Sequence, residues 1–575
     1  MKFSTTLNHP KIFIAIIFLA MLFCLPMLAN GLLLDDYPQR IAMYTAPTSN
    51  LFDFFSRGNP LTEAQLQSGI LPWWMSEEAK VRFFRPIGEL LIHLDYALWP
   101  DNFALMHLHS IAWYGVLLTA VASVYKRLLP LRWAAALATL MFALDYGHSA
   151  GVAWLCNRNV LVAMTLSMLC LLCHRRDSVR MSIVAVALFA CSLAASESAL
   201  ALSGYLLAHE LYLTRRSNTT KALRLLPYAV IGLCWIGFWA TQGYGVSGPG
   251  FYIDIAQQPL LFLEKLVYRA PAYVVSQIAF PPVEVFGALE LQTLPRAMQW
   301  LAGGYIFALL GLLFWFFRPL LKQLAMARFF ALGLVIAALP LVASSPVSRS
   351  LWYVSFGAFG LIALYVAHYR EAVATFGGNE ASLRRAGIFA KTLLALHLLL
   401  SPLLFLALPQ MATAFDIAMD SETVALPTTD SDPRLLLLAS PTYIGSVTFP
   451  MLKDQALSYG AAPSRNLPTL THIRGLVDTE HAFRLRRVSE DTLVVKSEQG
   501  FVSMATKPYG FSAGHEVVLD DVRITVEQVN ADGQPLQIRF SFKPGALSGY
   551  KVMRWQAERF VAATLPEIGS SIEIN

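Results

Sequence analysis

Charge is what this chain has least of. Asp, Glu, Lys and Arg together make up 14% of its 575 residues, against about 25% in soluble domains. Hydrophobic residues make up 56%. That balance excludes an ordinary soluble protein and leaves an integral membrane chain with room for many spans and one further domain. Cysteine is also scarce. The six are Cys24, Cys156, Cys170, Cys173, Cys191 and Cys234. All lie in apolar segments and none in the C-terminal region, so no disulfide framework is legible. Cys170 and Cys173 have C-x-x-C spacing but no nearby partner pair, which argues against a metal or redox site. The formal net charge of +6 does not point to nucleic acid, because the basic residues cluster in short loops between apolar segments. Orientation in a bilayer requires that pattern. Internal repeats and low-complexity tracts are absent.

About eleven segments are candidate spans, near 12–34, 103–125, 132–148, 152–173, 181–196, 197–212, 224–241, 298–317, 329–345, 350–368 and 390–409. The fifth and sixth are short and abut at Ser196-Glu197. The apolar run after MKFSTTLNHPK exceeds a signal-peptide core, so it reads as a retained first span. Basic residues fill alternate loops: Lys126, Arg127 and Arg132; Arg175, Arg176 and Arg180; Arg215, Arg216, Lys221 and Arg224; Arg318, Lys322 and Arg328; Arg370, Arg384, Arg385 and Lys391. With eleven spans the positive-inside rule puts the N-terminus in the cytoplasm and the C-terminus outside. The setting expected is a bacterial inner (cytoplasmic) membrane, crossed many times.

Residues 1–419 are expected to form the membrane domain, with two long outer loops at 35–102 and 242–297. The first carries Pro72-Trp73-Trp74, which suits a membrane interface. It ends in RPIGELLIHLDYALWP. Pro86 fits a first helical turn, and Ile87, Leu90, Leu91, Leu94 and Leu98 form one stripe with Glu89 and His93 opposite, predicting a helix on the membrane surface. The second loop opens with the Gly-rich QGYGVSGPG and holds an apolar stretch near 259–281 that dips into the membrane or lies flat on it. The linker SETVALPTTDSDPR leads into a different texture. RLLLLAS, TLVVKS, EVVLDDVRITVEQV and QIRFSFK read as strands, and ADGQP as a hairpin loop. Residues 420–575 are therefore a linker and a β-rich domain outside the membrane. The fold class is mainly α, a polytopic helix bundle with a C-terminal β-rich domain.

Ionisable groups at membrane depth are costly and raise a functional question wherever they occur. Asp35 and Asp36 follow the first span in GLLLDDYPQR. Arg158, in WLCNRNVL, lies inside a span near its outer end. Arg349, in SSPVSRSLWYVSFG, sits at an outer mouth. Glu197 lies between two apolar runs, His107 and His109 open the second span, and Asp145 and His148 lie at the outer end of the third. Basic groups facing an acidic pair suit a phosphate-bearing lipid, because the planar guanidinium binds phosphate through two parallel hydrogen bonds. A carboxylate beside a hydroxyl acts as general base, or holds a metal that neutralises a leaving phosphate. Each group also has a plain reading: solvated boundary acids for Asp35 and Asp36, a bridge from Arg158 to Glu197 or Asp145, snorkelling for Arg349, packing for His107 and His109, an interface aromatic for Tyr353.

Four stretches carry a family resemblance: LLLDDYPQR, FFRPIGELLIHLDYALWPDNFALMHLHS, HSAGVAWLCNRNVL and SRSLWYVSFG, with ASESAL between two spans. Over residues 10–370 the chain resembles GT-C-type integral membrane glycosyltransferases, particularly protein O-mannosyltransferase and tetratricopeptide-bearing O-mannosyltransferase relatives. Residues 420–575 are not covered and show no tetratricopeptide pattern. The resemblance implies a GT-C-like fold and a transferase that takes sugar from a polyprenyl-phosphate-linked donor at the outer membrane face, with membrane lipid around it and an unidentified protein, glycan or lipid as acceptor. It implies Asp35 or Asp36 as the catalytic base, and Arg85, Arg158 and Arg349 as contacts to the donor phosphate. Tyr353 and His107 would add further contacts, and Glu197 would orient one of the basic groups. A divalent cation is compatible with this scheme and not required by it. Two other classes compete: a transporter or flippase of a lipid-linked or anionic solute, which calls for inverted repeats and broken helices near the midplane, and a non-catalytic membrane assembly protein.

Overall fold

The computed structural model describes residues 2–248, 252–255, 257–291, 295–375, 377–426, 434–460, 472–479, 481–501, 504 and 510–574. The end of the Gly-rich stretch at Pro249 and Gly250, and residues 427–433 of the linker, lie outside the described residues. The chain divides into two compact units. The first comprises Met1–Leu32, Phe83–Gly245 and Phe251–Ala412, and the second Leu33–Arg82, Val246–Gly250 and Thr413–Asn575.

The first unit is a helix bundle. Among the described residues eight helices are long and apolar enough to cross a membrane: Ile12–Ala29, Phe103–Leu128, Leu155–His174, Asn218–Thr241, Ala297–Gln323, Ala325–Ala343, Trp352–Thr375 and Glu380–Ala418. The chain is a multi-pass membrane protein. The remaining three expected spans are shorter helices. At 132–148 the helix Arg132–Ala143 stops at Leu144 before a second short helix, Tyr146–Ala153. At 181–212 Ser196 ends Val179–Ala195, and the chain continues as a 3-10 turn, Glu197–Ala201, before the α-helix Leu202–Tyr212. The stretch near 259–281 is a helix, Pro259–Ile278, with exposed Leu260, Leu263 and Val267 and buried Tyr273 and Val275.

Burial ranks these helices. In the most apolar 18 residues of Trp352–Thr375 and of Leu155–His174, 78% and 72% are buried, and these helices form the centre, whereas in Asn218–Thr241 and Ala297–Gln323 the shares are 11% and 17%, leaving apolar flanks. Close approach at the centre depends on glycine. A Cβ on Gly333 would lie 2.2 Å from the Tyr205 ring, and one on Gly360 2.4 Å from Phe330. Small residues at such crossings let helices pack tightly in lipid, where van der Waals contact drives association.

The second unit is built on strands β1 (Asp53–Ser56), β2 (Lys80–Arg82), β3 (Gly245–Ser247), β4 (Arg434–Leu437), β5 (His472–Gly475), β6 (Phe483–Ser489), β7 (Thr492–Lys496), β8 (Glu516–Val518), β9 (Val522–Val529), β10 (Pro535–Phe542), β11 (Lys551–Gln556), β12 (Arg559–Ala562) and β13 (Ser571–Ile574). An antiparallel six-stranded sheet runs β13-β6-β7-β10-β9-β8, and a four-stranded sheet runs β12-β11-β4-β5 with β4 parallel to both β11 and β5. A third, small sheet has the order β1-β2-β3. The ADGQP loop closes β9 onto β10, with Val529 opposite Pro535. Alternation sends Phe483, Leu485, Leu493, Val495, Ile524, Val526, Ile538 and Phe540 into one core.

Residues 33–82, expected as part of an outer loop of the membrane domain, pack with the C-terminal region instead. Trp73 corrects the expectation of an interfacial tryptophan. It is 5% exposed, belongs to the β-rich core, and donates its indole N–H to the Gly475 carbonyl at 3.1 Å. A ring this large stabilises more by burial than by interfacial placement once its one polar atom has a partner. The Tyr443 hydroxyl donates to the Gly69 carbonyl at 2.6 Å. Gly69 has φ +82°, and a Cβ there would fall 1.7 Å from the Ile473 carbonyl oxygen, so only glycine fits.

Candidate functional site

The acid pair belongs to the second unit. Leu34, immediately before it, has φ +43°. A bulky side chain in that region costs about 1–3 kcal/mol and persists only where surrounding structure over-determines it. Asp35 is half-buried at the helix N-cap, and Asp36 opens the helix Asp36–Thr45. Asp36 is 2% exposed, and its Oδ2 accepts the Leu33 N–H at 2.9 Å. The helix N-terminus favours the negative charge. Side chains further along this helix clamp it in place. The Tyr37 hydroxyl donates to Asp416 Oδ1 at 2.8 Å, Lys453 Nζ reaches Asp416 Oδ2 at 2.6 Å, and Arg40 donates to the Ala456 and Tyr459 carbonyls at 2.9 and 2.6 Å.

The three candidate arginines belong to the first unit, in three different situations. Arg85 precedes the helix Pro86–Leu98 and grips Glu197 with two nitrogens, Nε to Oε2 at 3.0 Å and Nη2 to Oε1. Glu197 thus accepts from one of the basic groups. Arg158 is 3% exposed. It donates to Ser110 Oγ at 2.9 Å, to the Met106 carbonyl at 2.8 Å and to Asp95 Oδ2. His109 Nδ1 lies 2.6 Å from Asp95 Oδ1 while His109 Nε2 accepts the Trp113 indole N–H at 3.1 Å, so the network assigns the imidazole proton to Nδ1. Arg158 is therefore committed to side chains of the bundle. Its acid is Asp95, neither Glu197 nor Asp145. Asp145 instead accepts from Gln277 at 3.1 Å and Ser401 at 3.3 Å.

Arg349 differs from both. It lies in the short turn Ser348–Ser350, half-buried, with its guanidinium 4.7 Å over the Trp154 ring. No carboxylate among the described residues pairs with it. Its neighbour Ser348 donates its N–H to Glu284 Oε1 at 2.8 Å, which holds the turn in place. On the Trp154 side, Trp154 Nε1, Asn157 Nδ2 and both amide atoms of Asn159 are buried without a hydrogen-bond partner among the described residues. Buried polar atoms are ordinarily paired, so four unpaired ones within six residues of chain need an explanation. Tyr353 sits deeper, 2% exposed, its hydroxyl 2.8 Å from Ser167 Oγ. His107 is fully buried with Nε2 3.1 Å from the Gly31 carbonyl, and its Nδ1 has no hydrogen-bond partner among the described residues.

Asp95 escaped the reading of the sequence. Leu90, Leu94 and Leu98 are 65%, 43% and 55% exposed, while Gly88, Ile92 and Asp95 are buried. The leucine stripe is exposed, and the covered face carries the acid. The spacing 88, 92, 95 was the available signal.

Among the described residues one group has the donor set for a metal ion: His174, His209 and Glu210, all buried. The fit is poor. Glu210 already meets Arg216 Nη1 at 3.3 Å and Arg224 Nε at 3.2 Å, and these cations oppose a further one. The group also ends the helix Arg158–His174, about 24 Å along it from Arg158.

No family model matches the chain, and no curated protein matches it. Among solved structures the chain is similar to the Archaeoglobus fulgidus oligosaccharyltransferase tethered to an acceptor peptide containing the NVT sequon. The identity is 12%, the TM-score 0.37, and the overlap covers 77% of this chain and 63% of that one. The chain thus spans less than two thirds of the length of that structure, and a likeness of this size says nothing of donor, acceptor or chemistry.

Proposed function

We propose that this protein is a GT-C-type membrane glycosyltransferase that moves a sugar from a polyprenyl-phosphate-linked donor to an acceptor at the outer face of a bacterial inner membrane. The observation that carries the reading is Arg349: a cation in a membrane bundle, stacked on Trp154, with no carboxylate among the described residues to neutralise it. Such a charge is expensive unless a ligand uses it. A phosphate matches it in charge and in fork geometry. Arg85 and Arg158 have their own acids and serve as framework. Tyr353, buried with its hydroxyl 2.8 Å from Ser167 Oγ, is a secondary contact in this proposal.

Displacement at a sugar carbon needs two things. A base must take the acceptor hydroxyl proton, and the leaving phosphate must be stabilised as charge develops on it. Asp35 or Asp36 is the base in this proposal. The clamp formed by Tyr37, Asp416 and Lys453 supports that role, because a general base needs a fixed direction. Arg349 is the stabilising cation.

The test is donor turnover by the purified chain in lipid nanodiscs, over a panel of polyprenyl-phosphate sugars, for wild type, Asp35→Asn and Asp36→Asn. The expected result is loss of turnover in one variant with its Tm unchanged. Turnover retained by both variants would sink the assignment of the base and leave the pair as structural residues at the start of the helix Asp36–Thr45.

A further inference from the structure

The outward face of the six-stranded sheet is charged unevenly. On β9 and β10 each arginine has an acid: Arg523 pairs with Glu516 at 3.1 Å and Arg539 with Glu527 at 2.5 Å. On β6 and β7, the same face of the same sheet, Arg484, Arg486 and Lys496 are exposed, and none of them pairs with a carboxylate among the described residues. Glu573 stands opposite Arg484 on β13 without forming an ion pair. Arg484 also stands directly opposite Lys496. Like charges so placed, with side chains about 5 Å apart, destabilise a sheet. The fold does not demand this, since the neighbouring strands avoid it. Around a nearly covered Val494 the face is polar, with Thr492, Gln537, Ser541 and Ser571; its exposed apolar side chains are Val488 at the end of β6 and Val518 on the edge strand β8. A protein partner ordinarily finds an apolar or aromatic anchor at the centre of its interface, and at the centre of the β6–β7 half Val494 is 9% exposed.

We infer that the β6–β7 face of this sheet docks a linear acidic glycan, whose repeated carboxylates or phosphates lie along Arg484, Arg486 and Lys496. Charge complementarity selects the partner: two cations about 7 Å apart along β6 and a third beside them on β7 make a strip, not a pocket. Taking this glycan as the acceptor rests on the glycosyltransferase proposal. The binding itself does not.

The experiment uses the full chain in zwitterionic nanodiscs and measures binding to alginate, a linear uronic-acid polymer, with neutral dextran as control. Wild type is expected to bind alginate and not dextran, and to release it as salt is raised. Arg484→Glu/Arg486→Glu and the milder Arg484→Gln/Arg486→Gln should both weaken binding, the first about ten-fold or more. Arg523→Gln on the paired half should leave it unchanged. Tm should hold or rise in the Gln pair, because a repulsion is removed. Three results would overturn the inference: no alginate binding by wild type, an equal loss in Arg523→Gln, or binding to phosphatidylglycerol vesicles that alginate does not displace. Donor turnover is measured separately. Wild type that turns over donor without binding alginate rejects this surface alone, and wild type that binds alginate without turnover rejects only the catalytic reading.

Discussion

The Arg349 guanidinium lies 4.7 Å over the Trp154 ring and meets no carboxylate among the described residues, whereas Arg158, four residues after that tryptophan, is closed into Asp95. Two arginines flanking one tryptophan therefore face opposite tasks. One holds the bundle together and the other is left with charge to offer.

Arg349→Gln is expected to lower donor turnover roughly hundred-fold, the cost of losing one stabilising group at a developing charge. Arg349→Lys should recover little, because an ammonium neither stacks as a plane nor forks onto phosphate. Neither substitution should move the Tm by more than a degree or two, since no acid is left unpaired. A large fall in Tm with turnover retained would mark Arg349 as structural.

Asp95→Ala should destabilise the bundle by about 3–5 kcal/mol, because it strands the buried Arg158 charge. The double variant Asp95→Leu/Arg158→Met should recover much of that loss. Thermal unfolding in a mild detergent reads both. A double variant as unstable as the single one would mean that the network does more than neutralise itself.

Trp73→Ala is expected to cost the second unit about 3–5 kcal/mol, as a large ring leaves a cavity in a packed core. Hydrogen exchange should show faster exchange in β5 and β10 together. An interfacial tryptophan would give a different outcome, namely altered lipid affinity with exchange in the strands unchanged.

Stability of the second unit should fall with acid through Asp521. Burial pushes this carboxyl up, but the Tyr550 hydroxyl and the Arg474 guanidinium, the latter at 2.6 Å, outweigh it and hold it below the ordinary range. A carboxyl depressed in the folded state contributes stability that is complete above its unfolded value of about 3.9 and is lost as pH drops through its folded value. Asp521→Asn should therefore lower stability at neutral pH and flatten the decline below about pH 4. Denaturant unfolding of wild type and variant at several pH values checks the slope. An unchanged slope would remove Asp521 from the acid response.

Much of this molecule is local and was legible as such. Apolar runs marked the long helices, Pro86 marked the start of the helix Pro86–Leu98, and alternation with ADGQP marked the β9–β10 hairpin. Each of these depends on a few consecutive residues, and backbone periodicity writes them directly into the order of side chains. The acidic, basic and aromatic residues near the ends of spans were visible too, because charge stands out against an apolar background.

Pairing was not legible. Which acid meets Arg158 depends on how three helices pack, and Asp95, 63 positions away, looked like one more residue on an amphipathic stripe. The stripe itself was legible, with Leu90, Leu94 and Leu98 exposed; that the covered face would hold Gly88, Ile92 and Asp95 was set by packing. Residues 33–82 read as a loop because their partners lie about four hundred positions later, in Gly475 and Tyr443. Composition and period determined that this chain crosses a membrane and carries a β-rich region. Tertiary packing alone decided which charges cancel inside it and that Arg349 keeps its own, since Coulomb energies depend on distances that no spacing along the chain contains.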